Sequence, residues 1–308
     1  MAKTAVRIIR KSIFTFLKNY EYFTSTPALL AFPFAISTLL SQSLISQSSY
    51  LFLFVQTRLR SLFLAAGFPE LFALVDLKLS QTILTFLFAL PFTLSFLLLA
   101  KASVIRALGL SLEYYHQPWI LLFNPLLITQ ICNLVAILSV NATFFCILVV
   151  CFDVLRIFSP GLLFLLSATG AVVYSIILAN AYIMCNLALI LSGIDKQGGF
   201  ISIFRACVLI RGRVATALSL AVPINVGLAG IEALFQYRVV RAYNHRAMAL
   251  NTSMVLEGIL IGYLYAILLV LDTIAGSLFL ESCKRTCRID QEDVYCHKIE
   301  IQENECVS

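Results

Sequence analysis

A single acid, Asp272, lies well inside a long apolar run, and five asparagines (Asn124, Asn133, Asn180, Asn186 and Asn225) lie in similar runs. An ionised carboxylate amid hydrocarbon is costly, so such a residue faces a polar interior, stays protonated or pairs with a neighbour. Two chemistries are compatible with this set. Asp272, Asn180, Asn186 and Asn225 line one intramembrane polar site for an ion or proton, or they cross-link helices. Each asparagine cross-link in lipid is worth roughly 0.6 kcal/mol.

Nine cysteines give no disulfide scaffold in a chain this apolar. Cys132, Cys146, Cys151 and Cys185 fall in apolar runs and behave as small hydrophobes. Cys283, Cys287, Cys296 and Cys306 lie in a hydrophilic tail, but their spacing, with only His297 nearby, is not a tetrahedral zinc pattern. No metal or cofactor is expected. Cys283 and Cys287, beside Lys284, Arg285 and Arg288, have the juxtamembrane setting of S-acylated cysteines. The chain contains no HExxH, no GxSxG, no paired intramembrane aspartates and no Walker A sequence. His116 and His245, like His297, stand isolated. An enzyme is therefore not expected. Asn141-Ala-Thr and Asn251-Thr-Ser match the glycosylation acceptor pattern, yet both lie too near or within the membrane for modification.

Small residues recur where helices would need to approach closely. Gly258 and Gly262 form a GxxxG, and Ser167, Ala171, Ser175 and Ala179 repeat every four residues as one stripe. Both patterns remove side-chain bulk from a helix face, and packing within one chain is the expectation.

These residues must be positioned by membrane-spanning helices. Of 308 residues, 60% are hydrophobic and only 12% charged, about half the charge of an ordinary soluble domain. Several uncharged stretches are long enough to cross a hydrocarbon layer of ~30 Å. The fold class is all-α, a polytopic membrane helical bundle of about six spans near 27–47, 82–100, 119–150, 160–193, 214–235 and 254–280, with amphipathic interfacial helices between them. The third and fourth runs are each 34 residues long without a charge. Each is either one tilted helix or two short passes; the small-residue stripe and the loop charges favour six spans. Segments 1–26, 101–118, 194–213 and 281–308 carry 15 of the 22 basic residues. The positive-inside bias therefore predicts both termini in the cytoplasm.

Residues 2–20 contain Lys3, Arg7, Arg10, Lys11 and Lys18 and no acid. At ~100° per residue these cations share one arc, opposite Val6, Ile9, Ile13, Phe16, Leu17 and Tyr20. Residues 1–26 thus predict a basic amphipathic helix lying on anionic headgroups, with a mitochondrial presequence as the alternative. Residues 50–75 and 200–213 predict further interfacial helices on opposite sides. The last 28 residues, with seven acids and four bases, predict a flexible cytosolic tail over 281–308. The net charge of +6 reflects the loop bias and implies no nucleic-acid partner.

A basic amphipathic start, a Pro-containing first span, a cytoplasmic segment ending LIRGR and a last span closing SLFLESCK resemble a family of uncharacterised plant multi-pass transmembrane proteins. Some of its members are labelled polyadenylate-binding-protein-binding-like. The resemblance implies six spans and no defined active site. The expected function is a non-catalytic organiser or adaptor of the endomembrane system or plasma membrane, with other membrane proteins as partners. The alternative is a small-solute or ion transporter built on Asp272 and the asparagines.

Overall fold

The structure, a computed structural model, describes residues 2–44, 50–65, 73–109, 119–155, 160–241 and 252–307. The described residues are helical apart from short turns. In chain order they form α1 (Ala2–Lys18), α2 (Tyr20–Leu44), α3 (Tyr50–Ala65), α4 (Ala73–Phe92), α5 (Leu98–Ala107), α6 (Trp119–Leu155), α7 (Pro160–Asp195), α8 (Phe200–Ile210), α9 (Val214–Phe235) and α10 (Thr252–Val307). π-helical segments, Thr93–Leu97 and Gln236–Val240, follow α4 and α9. Six stretches are long and apolar enough to span a bilayer: Tyr20–Ser41, Ile83–Ala107, Leu122–Phe144, Val172–Asp195, Val214–Val240 and Thr252–Thr286. The chain is an all-α multi-pass membrane protein.

Several boundaries differ from the sequence expectation for local reasons. The first span begins at Tyr20, because Pro27 and Pro33 are carried inside α2 and do not start it. The second runs past Lys101, which is buried within α5 and is no loop residue. Its π segment directly follows Pro91, whose ring denies the helix a donor and crowds the preceding turn. In the same stretch Thr93 Oγ1 donates to the Ala89 carbonyl at 2.8 Å and Ser95 Oγ to the Pro91 carbonyl at 2.6 Å. The two 34-residue runs are single helices, with no hairpin at Ser139–Thr143. Within residues 50–75, expected to be interfacial, Ala73 onward belongs to α4.

The tail expected to be flexible is instead a continuation of α10 to Val307. No glycine or proline follows Gly276, and Arg285 pairs with Glu281 one turn back at 2.5 Å. The absence of helix breakers and this i,i+4 ion pair favour continuation of the polar helix.

The chain divides into two compact units. One comprises residues 19–103 and 224–271. Its core holds Ala31, Ala35 and Leu39 of α2, Ala100 of α5, Ile231 and Phe235 of α9, and Ile261, Tyr265 and Ala266 of α10. Gly262 faces α2 so closely that a Cβ there would overlap Ile36, whereas at Gly258 a Cβ would meet Phe235 at an ordinary 3.7 Å. The GxxxG is thus used within the chain, most tightly at its second glycine.

The other unit comprises residues 1–18, 104–223 and 272–308. There α6 packs on α7, and α8 on both. Polar bonds join α6 to α7 and to the turn that follows it. Tyr174 donates to Asn141 Oδ1 at 2.9 Å, Asn133 Nδ2 to the Cys185 carbonyl at 2.9 Å, and the Gly199 amide to Thr129 Oγ1 at 2.9 Å. Their order, rising on one helix as it falls on the other, is that of an antiparallel pair.

Candidate functional site

The candidate polar site is built where α7 meets α10 in the second of these units. Asn186 Nδ2 donates to Asp272 Oδ2 at 2.9 Å, and both residues are half-buried. One turn further along each helix, Gly276 passes so close to α7 that a Cβ would lie 2.5 Å from Ile190 Cδ1. Beyond that, Lys284 Nζ meets Asp195 Oδ1 at 2.5 Å, and Arg205 of α8 approaches the other oxygen of Asp195 at 3.8 Å. The α7–α10 contacts advance together along the two chains, so the helices run parallel, as fourth and sixth spans must.

The expected four-residue site is only partly assembled. Asp272 and Asn186 are joined. Asn180, six residues earlier on α7, is half-buried and makes no hydrogen bond among the described residues. Asn225 is exposed and belongs to the other unit. What the arrangement does chemically is to fasten two helices through an amide and a carboxyl oxygen, worth roughly 0.6 kcal/mol on average. Asp272 makes no ion pair among the described residues.

A second acid, Glu232, was not singled out from the sequence. With the fifth span ending at Phe235 it would sit at a helix edge. The π segment continues that helix to Val240, so Glu232 lies about two turns from the helix end. Its Oε1 accepts a hydrogen bond of 3.0 Å from the hydroxyl of buried Tyr265 on α10. In the same unit Tyr263 donates to the Thr24 carbonyl of α2 at 3.1 Å. A tyrosine spaced to reach an acid on a neighbouring span was the available signal, but only in three dimensions.

The remaining candidates scatter. Ser175 and Ala179 are exposed on α7; the side chains of Ser167 and Ala171 lie outside the described set. Cys283 is 1% exposed, its thiol covered by protein. The side chain of Cys287 lies outside the described set, as do those of His297, Cys296 and Cys306, together with Asn251, His116 and His245. Asn141 is held by Tyr174 between two helices. Asn133, 3% exposed, has no hydrogen-bond partner for its Oδ1 among the described residues. Among the described residues no three His, Cys, Asp or Glu side chains converge as a metal site.

α1 presents three distinct faces. Ala5, Ile8, Ser12 and Phe16 are buried against protein. Val6, Ile13 and Leu17 form an adjoining apolar strip that stays open. Arg7, Arg10, Lys11 and Lys18 are exposed beyond it. The apolar arc expected to lie wholly on lipid is therefore divided, with Phe16 turned to protein. Comparison of the chain with protein-family models, with curated proteins and with solved structures finds no match.

Proposed function

We propose that this multi-pass membrane protein is a non-catalytic organiser or adaptor, engaging an anionic leaflet through α1 and partner membrane proteins through its outer surfaces. The three-sided α1 carries this reading. One face fixes the helix to the protein, the next offers an open apolar strip at acyl-chain level, and the third turns cations to headgroup phosphates. The polar pairs inside the spans support it too, since Asn186–Asp272 and Glu232–Tyr265 are helix–helix ties.

Six crossings would place α1, α8 and the end of α10 on one side, and the basic loops make that side the cytoplasm of an endomembrane or plasma membrane. The resemblance to the plant multi-pass family fits this reading and adds no chemistry. A second reading, permeation of an ion or small solute, draws on Asp272 and Glu232, neither of which makes an ion pair among the described residues.

The test is co-sedimentation of residues 2–20 with phosphatidylserine-containing vesicles. Reversing Arg7, Arg10 and Lys11 to Glu removes about 1 kcal/mol per lost cation near the surface. Binding should weaken on the order of a hundredfold or more. Equal binding after reversal would refute the electrostatic engagement.

A further inference from the structure

α8 is tethered at both ends to spans. The fourth span ends at Asp195 and the fifth begins at Val214, leaving connectors of four and three residues around Phe200–Ile210. At ~3.3–3.6 Å per residue, each end of α8 stays within roughly 15 Å of a span end. Gly199 and Gly212, with φ of 85° and 82°, make the two sharp turns this needs. The helix therefore stays at the membrane boundary.

Its two sides differ. Ser202, Ala206 and Ile210 are buried, and the leading turn is pinned by the Gly199–Thr129 bond and by Ser202 Oγ donating to the Gln197 carbonyl. The opposite side is apolar and open: Phe200, Ile201, Phe204 and Val208 are exposed, the last two at 71% and 73%. Such an exposed apolar patch is costly in water. The surrounding charge selects the occupant. From Lys196 to Ile231 the chain has four basic residues and no acid. Arg205 lies 3.8 Å from Asp195, while Arg211 and Arg213 make no ion pair among the described residues.

We infer that α8 is an in-plane helix whose open face, Phe200, Ile201, Phe204 and Val208, inserts among the acyl chains of an anionic leaflet while Arg211 and Arg213 meet lipid phosphates. Four spans separate α8 from α1, so both helices enter the same leaflet. The inference shares the leaflet reading proposed for α1 but rests on different residues.

The sole tryptophan, Trp119, makes the test direct. In the full chain, Trp119→Phe is combined with Phe204→Trp, or with Val208→Trp should the first fail to fold. Each is reconstituted in phosphatidylcholine–phosphatidylserine vesicles with brominated acyl chains. The new tryptophan should lose most of its emission to bromine and resist acrylamide in the water phase. Quenching by acrylamide without quenching by bromine would overturn the proposal and assign the face to water or to a protein partner. Adding Arg211→Glu and Arg213→Glu should red-shift the emission on anionic vesicles and leave it unchanged on neutral ones. Identical spectra on both would remove the phosphate contact. Charge reversal in α1 should leave the bromine quenching intact, so failure of the two helices reads separately.

Discussion

Asn186 donates to Asp272 at 2.9 Å one turn before Gly276 passes under Ile190, so a polar bond between α7 and α10 sits beside a tight contact of the same two helices. The carboxyl serves packing in this arrangement. Asp272→Asn keeps the size and a hydrogen-bonding head while removing any charge held in low dielectric. Fold and abundance should be unchanged or slightly improved, and rescue of a null mutant should persist. Loss of rescue at wild-type abundance would promote the permeation reading. Asn186→Ala removes the tie and should lower stability in detergent by roughly 0.6–1.7 kcal/mol, read as a fall in Tm.

Glycine substitutions should rank by what a Cβ would strike. At Gly198 it would lie 2.8 Å from the Pro125 carbonyl oxygen and 2.9 Å from Pro125 Cα, both backbone atoms that cannot turn aside. Gly198→Ala should cost about 1–3 kcal/mol. Gly276→Ala and Gly262→Ala press on the ends of isoleucine side chains and should cost less. Gly258→Ala meets only ordinary contact and should be near neutral. A thermal series in one detergent checks the order, and a neutral Gly198→Ala would contradict it.

Tyr265→Phe deletes the donor to Glu232, and Glu232→Gln keeps an acceptor. The first should destabilise by roughly 0.6 kcal/mol and the second by less. A double-mutant cycle with Glu232→Ala and Tyr265→Phe should show coupling of the same size. Additive losses would mean that the contact carries no energy.

Asp195 receives Lys284 and Arg205 at the end of the fourth span, where Arg205 is 50% and Lys284 37% exposed. Screening keeps each such pair to about 0–1 kcal/mol. Asp195→Asn should therefore lower Tm modestly at low ionic strength and hardly at all in high salt. A loss independent of salt would point to packing as the role of Asp195.

Protease applied to sealed microsomes should remove a C-terminal epitope without permeabilisation. A protected epitope would reverse the assigned orientation.

Hydropathy and length are local properties, so the six apolar helices, the all-helical class, the exposed cationic face of α1 and a short helix within residues 200–213 were legible from the residues alone. Other features depended on distant partners. Which asparagine meets Asp272 is set by the register of α7 against α10, 86 residues apart in the chain, and no local pattern encodes that register. The contact of Glu232 with Tyr265 likewise joins α9 to α10 across 33 residues of chain. The tail was judged by its charge, but helix continuity depends equally on the absence of breakers after Gly276. Residue type suggested a juxtamembrane thiol at Cys283 and a packing stripe at Ser175 and Ala179. Tertiary structure buried the first and left the second open, because a helix has several faces and its neighbours decide which of them is covered.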